Sequence, residues 1–98
     1  MPVTAFRRPA PASIIKQMKA HVYVTLKTTV LDAQGQTIAN ALRRLSMSGV
    51  TAVRQGKYFV LTLDPSLDKA AAEVQVDKIA REVLTNPVIE EYSFRIEE

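Results

Sequence analysis

The sequence predicts an α+β domain of ferredoxin-like type, β-α-β-β-α-β, in which a four-stranded antiparallel sheet carries two helices on one face. Three observations lead there. Stretches of apolar-polar alternation are interleaved with two stretches whose apolar residues recur every three or four positions. Each helical stretch has a single apolar stripe, so each needs cover on one side only, and a sheet face supplies it. The 98 residues suit one domain close to the lower limit for an independent core, and an apolar content of 47% is enough to build one.

The stretch before Met18, "MPVTAFRRPAPASIIKQ", has prolines at positions 2, 9 and 11 and Ile14-Ile15 as its only apolar pair. Residues 1–17 are expected to form a basic, flexible extension, and 18–98 the folded domain. The chain's charge of +3 is accounted for by Arg7, Arg8 and Lys16, since ten basic residues face ten acidic ones from Met18 onward. The domain therefore offers no bulk charge to attract nucleic acid phosphates. The extension lacks the apolar core of a secretory signal, and no apolar run approaches the roughly 18 residues that span a bilayer. With no cysteine, disulfides, thiolate chemistry and cysteine-type zinc sites are excluded.

In order, "AHVYVTLK" alternates Val22, Val24 and Leu26 against His21, Tyr23 and Thr25, as a half-buried strand does. Asp32 is a helix cap for the following turn, Ala33-Gln34-Gly35. Ile38, Ala41, Leu42 and Leu45 then make the buried stripe of the first helix, and Gly49 suits its C-terminal cap. Two β-rich runs follow, Val50 to Arg54 and Tyr58 to Leu63, joined near Gln55-Gly56-Lys57 in a hairpin. Asp64-Pro65-Ser66 stops the second run. A second helix is expected from Leu67 to Leu84, with Ala72, Val76, Ile79, Ala80 and Val83 as its stripe, and Asn86-Pro87 ends it. The last strand, "VIEEYSFRIEE", alternates Tyr92, Phe94 and Ile96 against Glu91, Ser93 and Arg95.

This layout leaves one sheet face without helices. It presents His21, Tyr23, Thr25, Tyr58, Val60 and Thr62, a set too apolar for a plain wet surface. Tyr23, Tyr58 and Val60 are therefore candidates for self-association. The only histidine, His21, has no second histidine or cysteine for a metal and no evident base partner, and reads as a structural or surface residue. Glu90-Glu91 and Glu97-Glu98 are adjacent acids on a strand, which point to opposite faces and do not converge as a general acid and base. No glycine-rich phosphate loop is present. No catalytic or metal-binding residue is assigned. A stand-alone RNA- or metabolite-binding module is the alternative class. "GKYFV", Gly56 to Val60, loosely matches the third-strand signature of RNA-recognition domains, but that signature's glycine spacing is missing.

Four separated segments, "KAHVYVTLKTTVLDAQG", "ALRRL", "AVRQGKYFVLTL" and "NPVIEEYSFRIEE", share order and wording with one family. From Met18 to Glu98 the chain resembles the PurS family, the small subunit of phosphoribosylformylglycinamidine (FGAM) synthase. That family runs K-V-x-V-x-L-K into V-L-D-P-Q-G, an A-L-x-x-L helix, a V-R-x-G-K hairpin and a closing N-x-V-I-E-x-Y strand. Ala33 stands where the family usually has proline, and alanine also fits the first helical turn. The resemblance implies a cytoplasmic, non-catalytic subunit of de novo purine biosynthesis, a dimer or dimer of dimers. It would bridge a glutaminase subunit and a large synthase subunit and help shield the ammonia passed between them. It implies no cofactor on this chain, with ATP and magnesium on the large subunit, and neither nucleic acid nor membrane as partner. Partner-contact candidates are Asp32, Gln34 and Gly35 at the helix start and Arg54, Gly56 and Lys57 at the hairpin. For Gly35, packing within the subunit and a partner contact both remain open. Arg54 and Lys57 have no expected internal duty, as solvated turn charges or as cations meeting a neighbour's acids.

Overall fold

The computed structural model describes residues 17–98; the expected extension, apart from Gln17, lies outside the described residues. The element order is β1 (Met18–Leu26), α1 (Ala33–Arg44), β2 (Gly56–Leu63), α2 (Lys69–Ile79) with a π-helical turn (Ala80–Leu84), and β3 (Glu90–Glu97). Among the described residues the sheet is three-stranded and antiparallel, in the order β2-β1-β3. Register follows from the alternation. Ala20 lies opposite Leu61 and Ile96, and Val22 opposite Phe59 and Phe94, so one face collects the apolar side chains of all three strands.

That face meets α2. Ala20, Val22 and Val24 on β1 and Ala72, Val76 and Ala80 on the helix side are all fully buried. The alanines let the helix backbone come close to the central strand, where larger residues would hold it off. Asp68 starts α2 by accepting the Ala71 N–H at 2.7 Å, so the helix begins at Lys69 and not at Leu67. Its inward residues fall at 72, 76, 80 and 84, a spacing of four that an α-helix of 3.6 residues per turn cannot keep on one line. The last turn widens to the π form, Leu84 turns inward and the expected stripe residue Val83 is 74% exposed. Tyr92 ties β3 to α2 by donating its hydroxyl to Asp77 at 2.6 Å.

The expected fourth strand is not formed. Val50 to Gln55 runs without ladder pairing, and β2 begins at Gly56. The reason is competition for its polar groups. The Gln55 N–H is taken by Asp32 and the Arg54 guanidinium by carbonyls of the β1–α1 loop, which folds this segment back against the start of α1. The hairpin centred on Gly56 is therefore absent, and the four-stranded sheet is corrected to three.

Helix α1 also departs from expectation. Of its stripe only Ala41 and Leu42 are half-buried, whereas Ile38 and Leu45 are exposed and the residues turned inward are Gly35 and Ala39. It ends at Leu45 and not at Gly49. Ser46 adopts a left-handed φ of 63°, its N–H bonding Arg43 at 3.0 Å and that of Met47 bonding Leu42 at 3.0 Å. Those are the paired bonds of a Schellman cap, with serine where glycine is commoner. The last strand begins at Glu90, because Asn86 holds Val88, Ile89 and Glu90 in a turn.

Gly35 has a tertiary reason. A Cβ there would overlap the Val53 carbonyl oxygen and lie 2.7 Å from Asp32 Oδ2. Gly35→Ala should gain about 1 kcal/mol of helix propensity and lose about 1–3 kcal/mol to overpacking, a net destabilisation in chemical denaturation. Gly49→Ala, facing open space, should change stability by no more than about 0.5 kcal/mol. Equal stability of the two variants would show that Val53 does not approach α1 in solution.

Candidate subunit-contact site

The partner-contact candidates come together where the β1–α1 loop meets the segment leading into β2. Asp32 lies between them, only 6% exposed. Its Oδ1 accepts the Gly35 N–H at 2.9 Å and its Oδ2 the Gln55 N–H at 2.6 Å. These two bonds, that from Gln55 first, hold its carboxyl below the ordinary 3.8, and Arg54 adds to the effect. Beside it Gln55 Nε2 donates to Gln34 Oε1 at 2.7 Å, joining the same two segments from outside.

Arg54 has an internal duty after all. Its Nη2 donates to the carbonyls of Lys27 at 3.0 Å and of Leu26 and Val30 at 3.3 Å each, capping the end of β1 and its loop. Lys57 has one too. It is in phase with Phe59 and Leu61, and its Nζ meets Glu90 at 3.2 Å diagonally across β1, Lys57 lying opposite Val24 and Glu90 opposite Leu26, closing one end of the apolar face. The Glu90 carboxyl is lowered chiefly by the Asn86 N–H, at 2.8 Å, and then by Lys57. At Gly56 a Cβ would sit 2.6 Å from the Val24 carbonyl oxygen, which accounts for glycine at the strand's first position. A cleft of about 260 Å³ opens here, lined by Val24 and Leu26 and by Asp32, Gln55, Lys57 and Glu90. Its carboxylates are already bonded within the chain, so the cluster is suited to fixing a surface shape and not to acid-base chemistry. Gln55 and Glu90 were not among the partner-contact candidates read from the sequence. For Glu90 a signal existed: an acid in phase with Tyr92, Phe94 and Ile96.

On the helix-free face, Tyr23 and Tyr58 are directly opposed, with ring centroids 5.2 Å apart and planes 14° from parallel. Tyr23, Tyr58 and Val60 are 39%, 56% and 46% exposed, so the face is apolar and open as expected. His21 is structural, one of the two roles expected of it, but it has the acidic partner that the sequence did not show. It is 7% exposed and engaged on both nitrogens, by the Tyr58 hydroxyl at Nδ1 and by Glu97 at Nε2, each at 2.6 Å. The hydrogen bond with His21 lowers the Glu97 carboxyl, which as an ionised group only accepts. Nε2 therefore donates to Glu97, and Nδ1 is shared with the Tyr58 hydroxyl. Neither nitrogen is left to act on a bound molecule. One histidine thus links all three strands, a contact between residues 76 apart that needs the register to be seen. Among the described residues no three His, Cys, Asp or Glu side chains gather to hold a metal ion. No helix of the described residues is long and apolar enough to cross a membrane.

A family model described as PurS, phosphoribosylformylglycinamidine (FGAM) synthase, matches residues 19–98. The chain belongs to the PurS family. Curated PurS subunits of FGAM synthase are similar to it: that of Synechocystis is 40% identical over 88 residues, covering 90% of this chain and 87% of the relative. The Bacillus subtilis subunit is 40% identical over 80 residues, covering 82% and 93%. Among solved structures, Bacillus subtilis PurS aligns with a TM-score of 0.70 at 39% identity, over 83% of this chain and 99% of that one. A chain in the structure of PurLQS from Thermotoga maritima aligns with a TM-score of 0.75 at 32% identity, over 85% and 100%. The family match covers every candidate residue, and the resemblance seen from Met18 to Glu98 is established.

The lowered Asp32 carboxyl has a consequence for pH. A folded-state pKa below the unfolded one gives stability that is present above about pH 4 and lost as pH falls through the folded value. Asp32→Asn should be less stable than the parent at pH 7 and lose less on acidification to about pH 3, measured by urea unfolding at each pH. Arg54→Ala should lower stability by about 1 kcal/mol, the order of a hydrogen bond from a charged donor lost at an exposed site. A parallel fall of Asp32→Asn and parent with acid would sever the link to Asp32.

Proposed function

We propose that this chain is the non-catalytic small subunit of an FGAM synthase, a homo-oligomer joining a glutaminase subunit to a large synthase subunit and enclosing the path of ammonia between them. The observation that carries the reading is the alignment over the whole of the chain found in PurLQS of Thermotoga maritima. That match spans 85% of this chain and the whole of the other, which supports reading the domain as a subunit of such an assembly. The chemistry of the reading is simple. Ammonia released into water near neutral pH is mostly protonated, and ammonium has no lone pair with which to attack an activated amide. A subunit that excludes water from the junction needs a shaped, rigid surface and no reactive group. The Asp32–Arg54–Lys57 cluster provides rigid edges, and the open face of Tyr23, Tyr58 and Val60 provides area for association. In this reading ATP and its magnesium belong to the large subunit, and the complex works in the cytoplasm.

The test is reconstitution with a glutaminase and a large synthase subunit. Glutamine-dependent FGAM synthesis should require this chain, while synthesis from added ammonia should proceed without it. Replacing Gln34 and Lys57 together by Ala should leave a folded chain whose affinity for the other subunits falls about tenfold, the effect of losing one charged hydrogen bond. Glutamine-dependent synthesis at an unchanged rate without the chain would overturn the proposal, as would tight RNA binding by a chain that joins no complex.

A further inference from the structure

We infer that residues 7–16 of this chain dock in the groove between α2 and β3, with Ile14-Ile15 in the hollow where β1 begins, Pro9 to Pro11 over Val74 and Phe94, and Arg7 and Arg8 at Glu73 and Asp77. The inference goes beyond the reading of the chain as a synthase subunit and does not depend on it.

The groove, of about 550 Å³, is floored by Ala70, Val74 and Phe94 and edged by Glu73 and Asp77, with Lys78 and Arg81 at its far end. Val74 is 71% exposed, and Phe94 is half-buried although its β1 neighbour Val22 is fully buried. α2 thus covers the central strand and leaves the β3 side short of apolar cover. The chain enters at this end of the domain. Gln17 lines a second hollow, of about 200 Å³, with Met18, Pro65 and Glu98. Hollow and groove follow one another. Pro65 lies in the turn before α2 and Ala70 in the helix's first turn, and the groove then runs inward along β3 from Phe94, toward the bond between Tyr92 and Asp77.

Charge selects the occupant. Residues 64–98 carry nine acids and four bases, a net −5, whereas residues 1–16 carry three bases and no acid. The neutral domain is therefore polarised, and its acidic half contains Pro65 and Glu98, beside which the basic segment leaves. Among the described residues Asp64, Glu73 and Glu98 take part in no ion pair. Of the two cations that would oppose the segment, Arg81 is held by Asp77 and Glu82, and Lys78 lies at the far end of the groove. Reach fits as well. From Gln17 back to Arg8 the chain can span about 30 Å, and α2 rises about 17 Å from Ala70 to Arg81. Pro9 and Pro11 favour the extended polyproline conformation, which packs on aromatic side chains such as Phe94 and costs little to order. The segment is tethered at the groove's mouth, so a contact too weak to hold a free peptide suffices.

The absence of cysteine allows a single label on the full chain. A nitroxide attached at Ala10→Cys should broaden the amide signals of Ala70, Val74 and Phe94 in nuclear magnetic resonance spectra and leave those of Ile38 and Leu45 on α1 sharp. Adding Arg7→Glu and Arg8→Glu to the same chain should bring the broadened signals back, since like charges then meet at Glu73 and Asp77. Sharp signals at Ala70, Val74 and Phe94 with the label in place overturn the inference, as does broadening that charge reversal leaves unchanged. Broadening passed in full to isotope-labelled chains that carry no nitroxide, when the two are mixed, also overturns it, by assigning the groove to the segment of a second copy. A chain that meets these expectations but joins no synthase complex would support the inference and overturn the subunit reading. One that joins the complex and fails them would do the reverse.

Discussion

The Asp32 carboxylate is the constraint on which the rest of the architecture turns. Each of its oxygens accepts one backbone N–H, and the two donors belong to different parts of the chain, Gly35 in the first turn of α1 and Gln55 at the entrance to β2. The first bond starts a helix. The second returns the chain to the point where that helix began, so α1 and the segment after it form a closed excursion of fixed span. Gly35 allows the closure, since any side chain there would meet the Val53 carbonyl. Arg54 reinforces it from the other side by gathering three loop carbonyls.

The excursion has its effect at the sheet. Residues that alternate well enough to be a strand are held by side-chain partners and do not reach the ladder, which leaves β2 at an edge. Local side-chain to backbone bonds compete with secondary structure, and here they win because the carboxylate is shielded and doubly bonded. The same diversion draws Arg54 inward. Cations that a sequence pattern offers to a partner can first serve the fold that presents them, and a contact surface made this way is rigid before any partner arrives.

The opposite half of the domain is ordered by size more than by charge. Small residues on β1 and α2 permit close approach, and the larger side chains of β2 and β3 close around them. A four-residue spacing in α2 forces the π-helical turn, which delivers Leu84 to the core and exposes Val83. On the far face, His21 joins Tyr58 and Glu97 across the three strands, so even the open face has an internal bond holding its edges together.

Much of this was legible in the residues themselves. Strand alternation placed Val22, Val24, Phe59, Phe94 and Ile96 on one face, and Asp32 announced a helix start, because periodicity and capping are local properties. The family segments, spread from Lys19 to the last strand, identified the family as well, since their order survives without any coordinates. Tertiary structure alone decided the fate of Val50–Gln55, the inward roles of Arg54 and Lys57, and the bonds of His21. Each depends on groups far apart in the chain, Asp32 with Gln55 or His21 with Glu97, and a strand-like pattern states a preference without naming the partner that will claim its hydrogen bonds.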